Sequence, residues 1–127
     1  MEMTEFDRVM ARLTSPAQIR AEMLTEAKAA ADKFFQEKLN GQDAYACGFA
    51  WVTIKPKHKG NTKDGKAERK VIRELGFELD WTGKAFQLWN PGQYHGQNVN
   101  TKYEGARAAA NVLKKYGFQA TPGERLD

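Results

Sequence analysis

The 127-residue chain reads as an α+β fold: a three-stranded antiparallel-type sheet packed with helices, in the order α-α-β-α-β-β-α. Three observations predict it. Apolar residues recur every three or four positions at both ends of the chain, the period of a helix with one buried face. Residues 44–56 switch to a period of two, the signature of a strand. "FELDW" and "AFQLWNP" then flank "TGK", a hairpin signal in which Gly83 can take positive φ. Helices laid over a face of one sheet are the economical way to bury such elements.

Taken in order, Thr4 can cap a short first helix, with Asp7 favouring its N-terminus. Phe6, Val9, Met10 and Leu13 follow at i, i+3, i+4 and i+7. This amphipathic helix, residues 1–14, reads as an appendage to a single domain spanning 1–127. It either closes the core or pairs with a second copy to make a homodimer. "SPAQ" restarts the chain: Ser15 as N-cap, Pro16 at the first helical position and Gln18 completing a capping box. The second helix runs to Leu39, where Asn40-Gly41 supplies a left-handed stop, and Ile19, Met23, Ala27, Ala30 and Phe34 share its inner face.

In "AYACGFAWVTIKP" Tyr45, Cys47, Phe49, Trp51 and Thr53 point one way. Ala44, Ala46, Gly48, Ala50, Val52 and Ile54 point the other. The second set is small near its start, so a helix can approach closely. Both sets are largely apolar, which predicts a central strand covered on at least one side. After Pro56 comes a polar loop. Asp64 then caps a third helix whose inner residues are Ala67, Val71 and Leu75 and whose stop is Gly76. Beyond the hairpin, "NPGQYHGQNVN" is a loop. Thr101 and Glu104 form a capping box for the last helix, which Gly117 stops. "QATPGERLD" reads as a polar tail.

Hydrophobic content of 41% and charged content of 28% are those of a globular domain. No apolar run approaches the ~20 residues of a membrane span, so no membrane association is expected. The start carries three acids in seven residues rather than the basic and apolar blocks of a signal peptide. One cysteine, Cys47, excludes an internal disulfide and suits a reducing compartment. A cytoplasmic protein is the expectation.

Charge is unevenly placed. Lys55, Lys57, Lys59, Lys63, Lys66, Arg69, Lys70 and Arg73 face only Asp64 and Glu68, a net of +6 in a chain whose total is +4. On the third helix Lys66, Arg69, Lys70 and Arg73 recur at spacings of three and four, one outward stripe. A lysine loop feeding a basic stripe is the footprint of phosphate contacts, and lysine-rich contacts suit backbone binding better than bidentate reading of guanine. The bland alternative is a solvated surface kept for solubility. The nucleic-acid reading requires these cations to converge on one patch. His58, between Lys57 and Lys59, reads as a neutral hydrogen-bond partner.

Aromatic strands can act as stacking platforms for single-stranded bases. Phe49, Trp51, Phe77, Trp81 and Phe86 are nonetheless expected in the core, with Trp89 left as the partly exposed exception beside Tyr94 and His95. Trp89, Tyr94, His95, Gln97 and Asn98 form a secondary contact set, with Lys102 beside them at the last helix's N-terminus, where free N–H groups favour anions. No GxxxxGK[ST] or GxGxxG occurs. Cys47 is expected to be a buried structural thiol. One cysteine and two separated histidines, His58 and His95, make no zinc site. No catalytic constellation, metal or cofactor is expected.

Two resemblances add to this. "ACGFAWVTIKP", "LGF…WNP", "KYEGARAAANVLKKYGF" and the terminal "RLD" resemble small, uncharacterised tailed-bacteriophage proteins over residues 44–127. That implies a phage accessory protein acting on nucleic acid or on a host enzyme, in the host cytoplasm. The order of elements is also similar to the α-β-β-β-α of double-stranded-RNA-binding domains. "KPKH", Lys55 to His58, resembles that family's Pro-x-His loop. "TKYEGARAAANVL" resembles its last helix, where Lys102 matches a phosphate-contacting lysine. Glu104 and Gly105 stand where further lysine belongs, and the helix between the first two strands has no counterpart there.

The expectation is therefore a small, basic, non-enzymatic protein that binds DNA or RNA backbone. The competing expectation is an inhibitor or adaptor that docks an acidic surface of a host protein.

Overall fold

The computed structural model describes residues 14–127; the N-terminal amphipathic helix expected from Phe6, Val9, Met10 and Leu13 lies outside them. The elements run α1 (Pro16–Leu39), β1 (Gly48–Lys55), α2 (Lys63–Glu74), β2 (Glu78–Leu79), β3 (Phe86–Trp89), α3 (Val99–Lys115) and β4 (Gln119–Leu126). The α+β class holds. The sheet has four strands, not three, in the order β2-β3-β1-β4, with every pairing antiparallel.

The added strand is the supposed polar tail. Gln119–Leu126 pairs with β1 along its whole length, Gly48 opposite Leu126 through Lys55 opposite Gln119. The tail looks polar because β4 is an edge strand and only Ala120 is buried. Pro122, which has no N–H for a second ladder, is acceptable there.

Local signals set most helix ends. Ser15 and Gln18 exchange side-chain-to-backbone bonds at the start of α1, and Asn40 and Gly41 end it at φ 53° and 74°. Gly76, Gly83 and Gly117 take positive φ at the two expected helix stops and the hairpin. Two caps move. Thr62, not Asp64, caps α2 by accepting from Gly65 N at 3.0 Å. Asn98, not Thr101, caps α3, accepting from Thr101 N at 2.8 Å and Thr101 Oγ1 at 3.0 Å. Both Asn98 and Thr101 are buried. Thr101 is thus a helical residue held by the cap.

The core lies on one side of the sheet. Val52, Ile54, Phe86 and Ala120 meet Ile19, Met23 and Ala27 of α1, Ile72 and Leu75 of α2, and Ala109, Ala110 and Leu113 of α3. Ala67, expected on the inner side of α2, is exposed; Val71 is half-buried, and Ile72 with Leu75 does the packing. Small residues let the layers close up. A Cβ at Gly105 would fall 3.0 Å from Gly92 Cα and 3.3 Å from Ala27 O. A Cβ at Gly48 would lie 2.5 Å from Arg125 O and 2.9 Å from the Val99 side chain. Glu22 of α1 straps the end of α3, accepting from Tyr116 OH at 2.6 Å and from Lys115 Nζ. The Lys115 bond is the larger cause holding the Glu22 carboxyl below its ordinary range.

Among the described residues every helix lies on one side, and they leave the other side of the sheet open. Cys47 lies just before β1 and is exposed, not a buried thiol, because the chain is still at the sheet's margin there. Among the described residues no helix is long and apolar enough to cross a membrane.

Candidate nucleic-acid interface

The cations of residues 55–73 do not all share one side of the sheet. Lys66, Lys70 and Arg73 are exposed on α2, in the helical layer. Arg73 also sits over the Phe86 ring, 5.3 Å from its centroid. Lys59 and Lys63 are exposed around the loop and the start of α2. Lys55 points to the opposite side of the sheet, in alternation with Ile54.

Arg69 serves the fold. Its Nη1 donates to His58 O at 2.9 Å and Gly65 O at 3.0 Å. Glu68 accepts the backbone N–H of Lys57 at 2.7 Å and of His58 at 2.9 Å. Together Arg69 and Glu68 pin the β1–α2 loop to the helix. Lys57 and His58, both half-buried, line a cavity of about 490 Å³ with Ile19, Val71 and Phe118. Among the described residues, no carboxylate lies within ion-pair distance of any cation in this segment. Lys59, Lys63, Lys66, Lys70 and Arg73 are therefore exposed along the loop and α2, whereas Lys57 and Arg69 are half-buried and Lys55 stands on the other side of the sheet.

The open face gathers a different set. Phe49, Trp51, Thr53 and Lys55 of β1 alternate onto it. Register adds Trp89 and Gln87 from β3, and Arg125, Gly123, Thr121 and Gln119 from β4. Trp51 stands opposite Trp89, ring centroids 4.7 Å apart and tilted by 40°. Phe49 meets Trp89 edge-on at 6.1 Å. Gly123, opposite Trp51, lets the indole lie against the strand: a Cβ there would fall 2.7 Å from Trp51 Cε2 and Nε1.

Trp89 is 47% exposed and Phe49 37%; Trp51 is half-buried. Phe49 and Trp51 are thus surface residues, not core. The alternation was legible, but which face the helices cover is a tertiary choice. Phe77 and Phe86 are buried as expected. Trp81, also expected inside, is 93% exposed at the β2–β3 hairpin, where Asp80 Oδ1 accepts from Thr82 N at 3.0 Å and Thr82 Oγ1 at 2.6 Å.

Positive charge frames the aromatic group. Arg125 Cζ lies 5.6 Å and Lys102 Nζ 5.5 Å from the Phe49 centroid, within cation–π range. Lys102 also donates to Gly48 O at 2.8 Å, so it braces β1 against α3 as well as carrying charge. At the far end of β1, Lys55 shares a smaller cavity of about 220 Å³ with Lys114.

The loop before α3 is held by Asp43, a residue that sequence reasoning missed. Its carboxylate accepts from Tyr94 OH at 2.5 Å, Gln97 N at 2.9 Å and Asn98 N at 2.9 Å. The Tyr94 bond is the largest cause of its lowered pKa. Burial, then the Asp43 carboxylate, pushes the Tyr94 phenol up. Tyr94 also packs on Phe35, 5.2 Å between centroids, and Asn90, next to Trp89, donates through Nδ2 to Tyr94 O at 2.9 Å. Of the secondary set, then, Trp89, His95 and Gln97 are exposed. Tyr94, Asn98 and the backbone N–H of Gln97 build the loop that fixes the chain beyond Trp89. The partners of Asp43 lie more than fifty residues away, so no local pattern marks it.

Among the described residues, no group of three His, Cys, Asp or Glu side chains is placed to hold a metal ion. No protein-family model, curated protein or solved structure matches the chain.

Proposed function

We propose that the protein is a small non-enzymatic nucleic-acid-binding protein whose contact surface is the open face of the sheet. One observation carries this reading: Phe49, Trp51 and Trp89 form a contiguous, solvent-facing aromatic group with Arg125 and Lys102 beside it. Aromatic surface supplies base stacking, worth about 1–3 kcal/mol per base. Flanking cations supply the phosphate attraction that dominates affinity. Among the described residues, register brings Glu78 onto this face opposite Gln87 at the β2 edge, and Asp127, whose N–H donates to Cys47 O, follows Arg125 by two residues on the same side.

The basic α2 stripe takes a lesser part in this reading. Lys66, Lys70 and Arg73 lie in the opposite layer, so they contribute long-range attraction rather than contact. The test is a salt series with labelled oligonucleotides. Affinity should collapse between roughly 50 and 200 mM salt. Reversing Lys55 and Arg125 to Glu should weaken binding and flatten the salt dependence, while reversing Lys66, Lys70 and Arg73 should mainly slow association. Absence of any binding at low salt would defeat the reading.

A second reading is favoured by a separate observation. Trp81 at 93% exposure and Leu79 at 50% make the β2–β3 hairpin an apolar point, and tryptophan is a preferred anchor in protein interfaces. An inhibitor or adaptor docking an acidic host protein would use this hairpin. It predicts a stoichiometric partner that survives nuclease treatment and is lost on Trp81→Ala.

A further inference from the structure

Resting on the nucleic-acid reading, we propose that the open face takes a single strand rather than a duplex. A base would stack on Trp89 while the backbone runs along β1 and β4, from Arg125 toward Lys55.

A duplex keeps its base faces inside the stack and offers only edges and phosphates. Its major groove, about 12 Å wide, admits one helix or a two-stranded ribbon. The aromatic group here lies within a four-stranded sheet, whose strands stand about 4.8 Å apart. That face is too broad to enter a groove, and its rings do not protrude as a wedge. They present a surface that only an unpaired base can cover.

The charges point the same way. Arg125 and Lys102 lie beside Phe49 at one end, and Lys55 lies at the other. Phe49 to Lys55 is six residues of strand, about 20 Å at 3.3 Å per residue. Between these ends the face is neutral: Thr53 stands between Gln87 and Thr121, groups that can meet base edges. Glu78, beside Gln87 on the β2 side, repels phosphates from that edge. One track with cations at its two ends fits one backbone; it lacks a second row for a complementary strand. Trp51, lying on Gly123, packs beside Trp89 across the β1–β3 pair.

The test titrates the full chain with a labelled single strand of about 15 nucleotides and with the same sequence as a blunt duplex, at roughly 50 mM salt. The single strand should bind at least tenfold more tightly, roughly one stacked base's worth, and should quench tryptophan emission. Trp89→Ala should weaken it by about 5- to 150-fold, the range of one stacked base, whereas Trp89→Phe should retain most of the affinity. Glu78→Lys should tighten it. A duplex bound as well as the single strand, or a folded Trp89→Ala variant with unchanged affinity, would overturn the single-strand assignment while leaving the nucleic-acid reading in place. Binding of neither ligand would overturn both.

Discussion

Replacing Gly123 with Ala probes the support beneath the aromatic group without touching an aromatic residue. The new Cβ would sit 2.7 Å from Trp51 Cε2 and Nε1 and 2.9 Å from Cζ2. Comfortable carbon contacts begin near ~3.5 Å, so the indole must move by about 0.8 Å. It cannot slide freely, because Trp89 stands 4.7 Å away on the opposite side of the pair. Overpacking of this kind costs about 1–3 kcal/mol in a core; half-buried Trp51 belongs at the lower end. Ala in place of a strand Gly returns about 0.5–1 kcal/mol of backbone entropy. The net is a loss of about 0–2 kcal/mol, a shift of a few degrees in Tm at most. The larger effect should be on the site: Trp51 lifts, the Trp51–Trp89 tilt changes and oligonucleotide affinity falls several-fold. Urea denaturation would give the stability, near-UV circular dichroism the indole pair, and anisotropy the affinity. A variant with wild-type dichroism and wild-type affinity would refute the claim that Trp51 rests on Gly123 and supports the binding surface.

Two further variants test the scaffold. Gly65→Ala places a Cβ only 1.7 Å from Lys59 O, a clash with backbone that a rotamer change cannot relieve; it should destabilise the protein by about 1–3 kcal/mol or more, read by urea denaturation, and loosen the loop that Glu68 and Arg69 pin. Asp43 has a folded-state pKa below its unfolded value, so its contribution is present above the unfolded pKa and is lost as pH falls through the folded one. Stability measured from neutral pH into the acid range should therefore fall more steeply in the wild type than in Asp43→Asn, and Tyr94 should become exposed in the same window.

Much of the scaffold was legible because its signals are local. Ser15-Pro16-x-Gln18 states a helix start in four residues, and Asn40-Gly41, Gly76, Gly83 and Gly117 mark turns that a left-handed backbone requires. The last helix shows how two local signals compete. Thr101 and Glu104 match a capping box, yet Asn98 caps because Asp43 and Ala44 hold its backbone and side chain. β4 was illegible for a different reason. Gln119–Leu126 has almost no apolar alternation of its own, and its extended form comes from eight residues of ladder with β1. The binding surface suffered most. Phe49 and Trp51 were placed on the correct side of β1, but two apolar faces cannot say which one the helices will cover. The cations were legible as an exposed stripe on α2, Lys66, Lys70 and Arg73, but no local signal said that Arg69 would turn to the loop or that Lys55 would fall on the other side of the sheet.

The central claim is that the open face of the sheet, and not the basic helix, meets nucleic acid. Its most direct test is an NMR titration with a short single-stranded oligonucleotide that follows the three tryptophan indole N–H signals and the backbone amides. The account predicts that the indole signals of Trp89 and Trp51 shift together with amides of Phe49, Thr53 and Arg125, while Trp81 and the amides of α2 stay in place. Shifts confined to α2 or to Trp81, with the indoles of Trp51 and Trp89 unmoved, would contradict it.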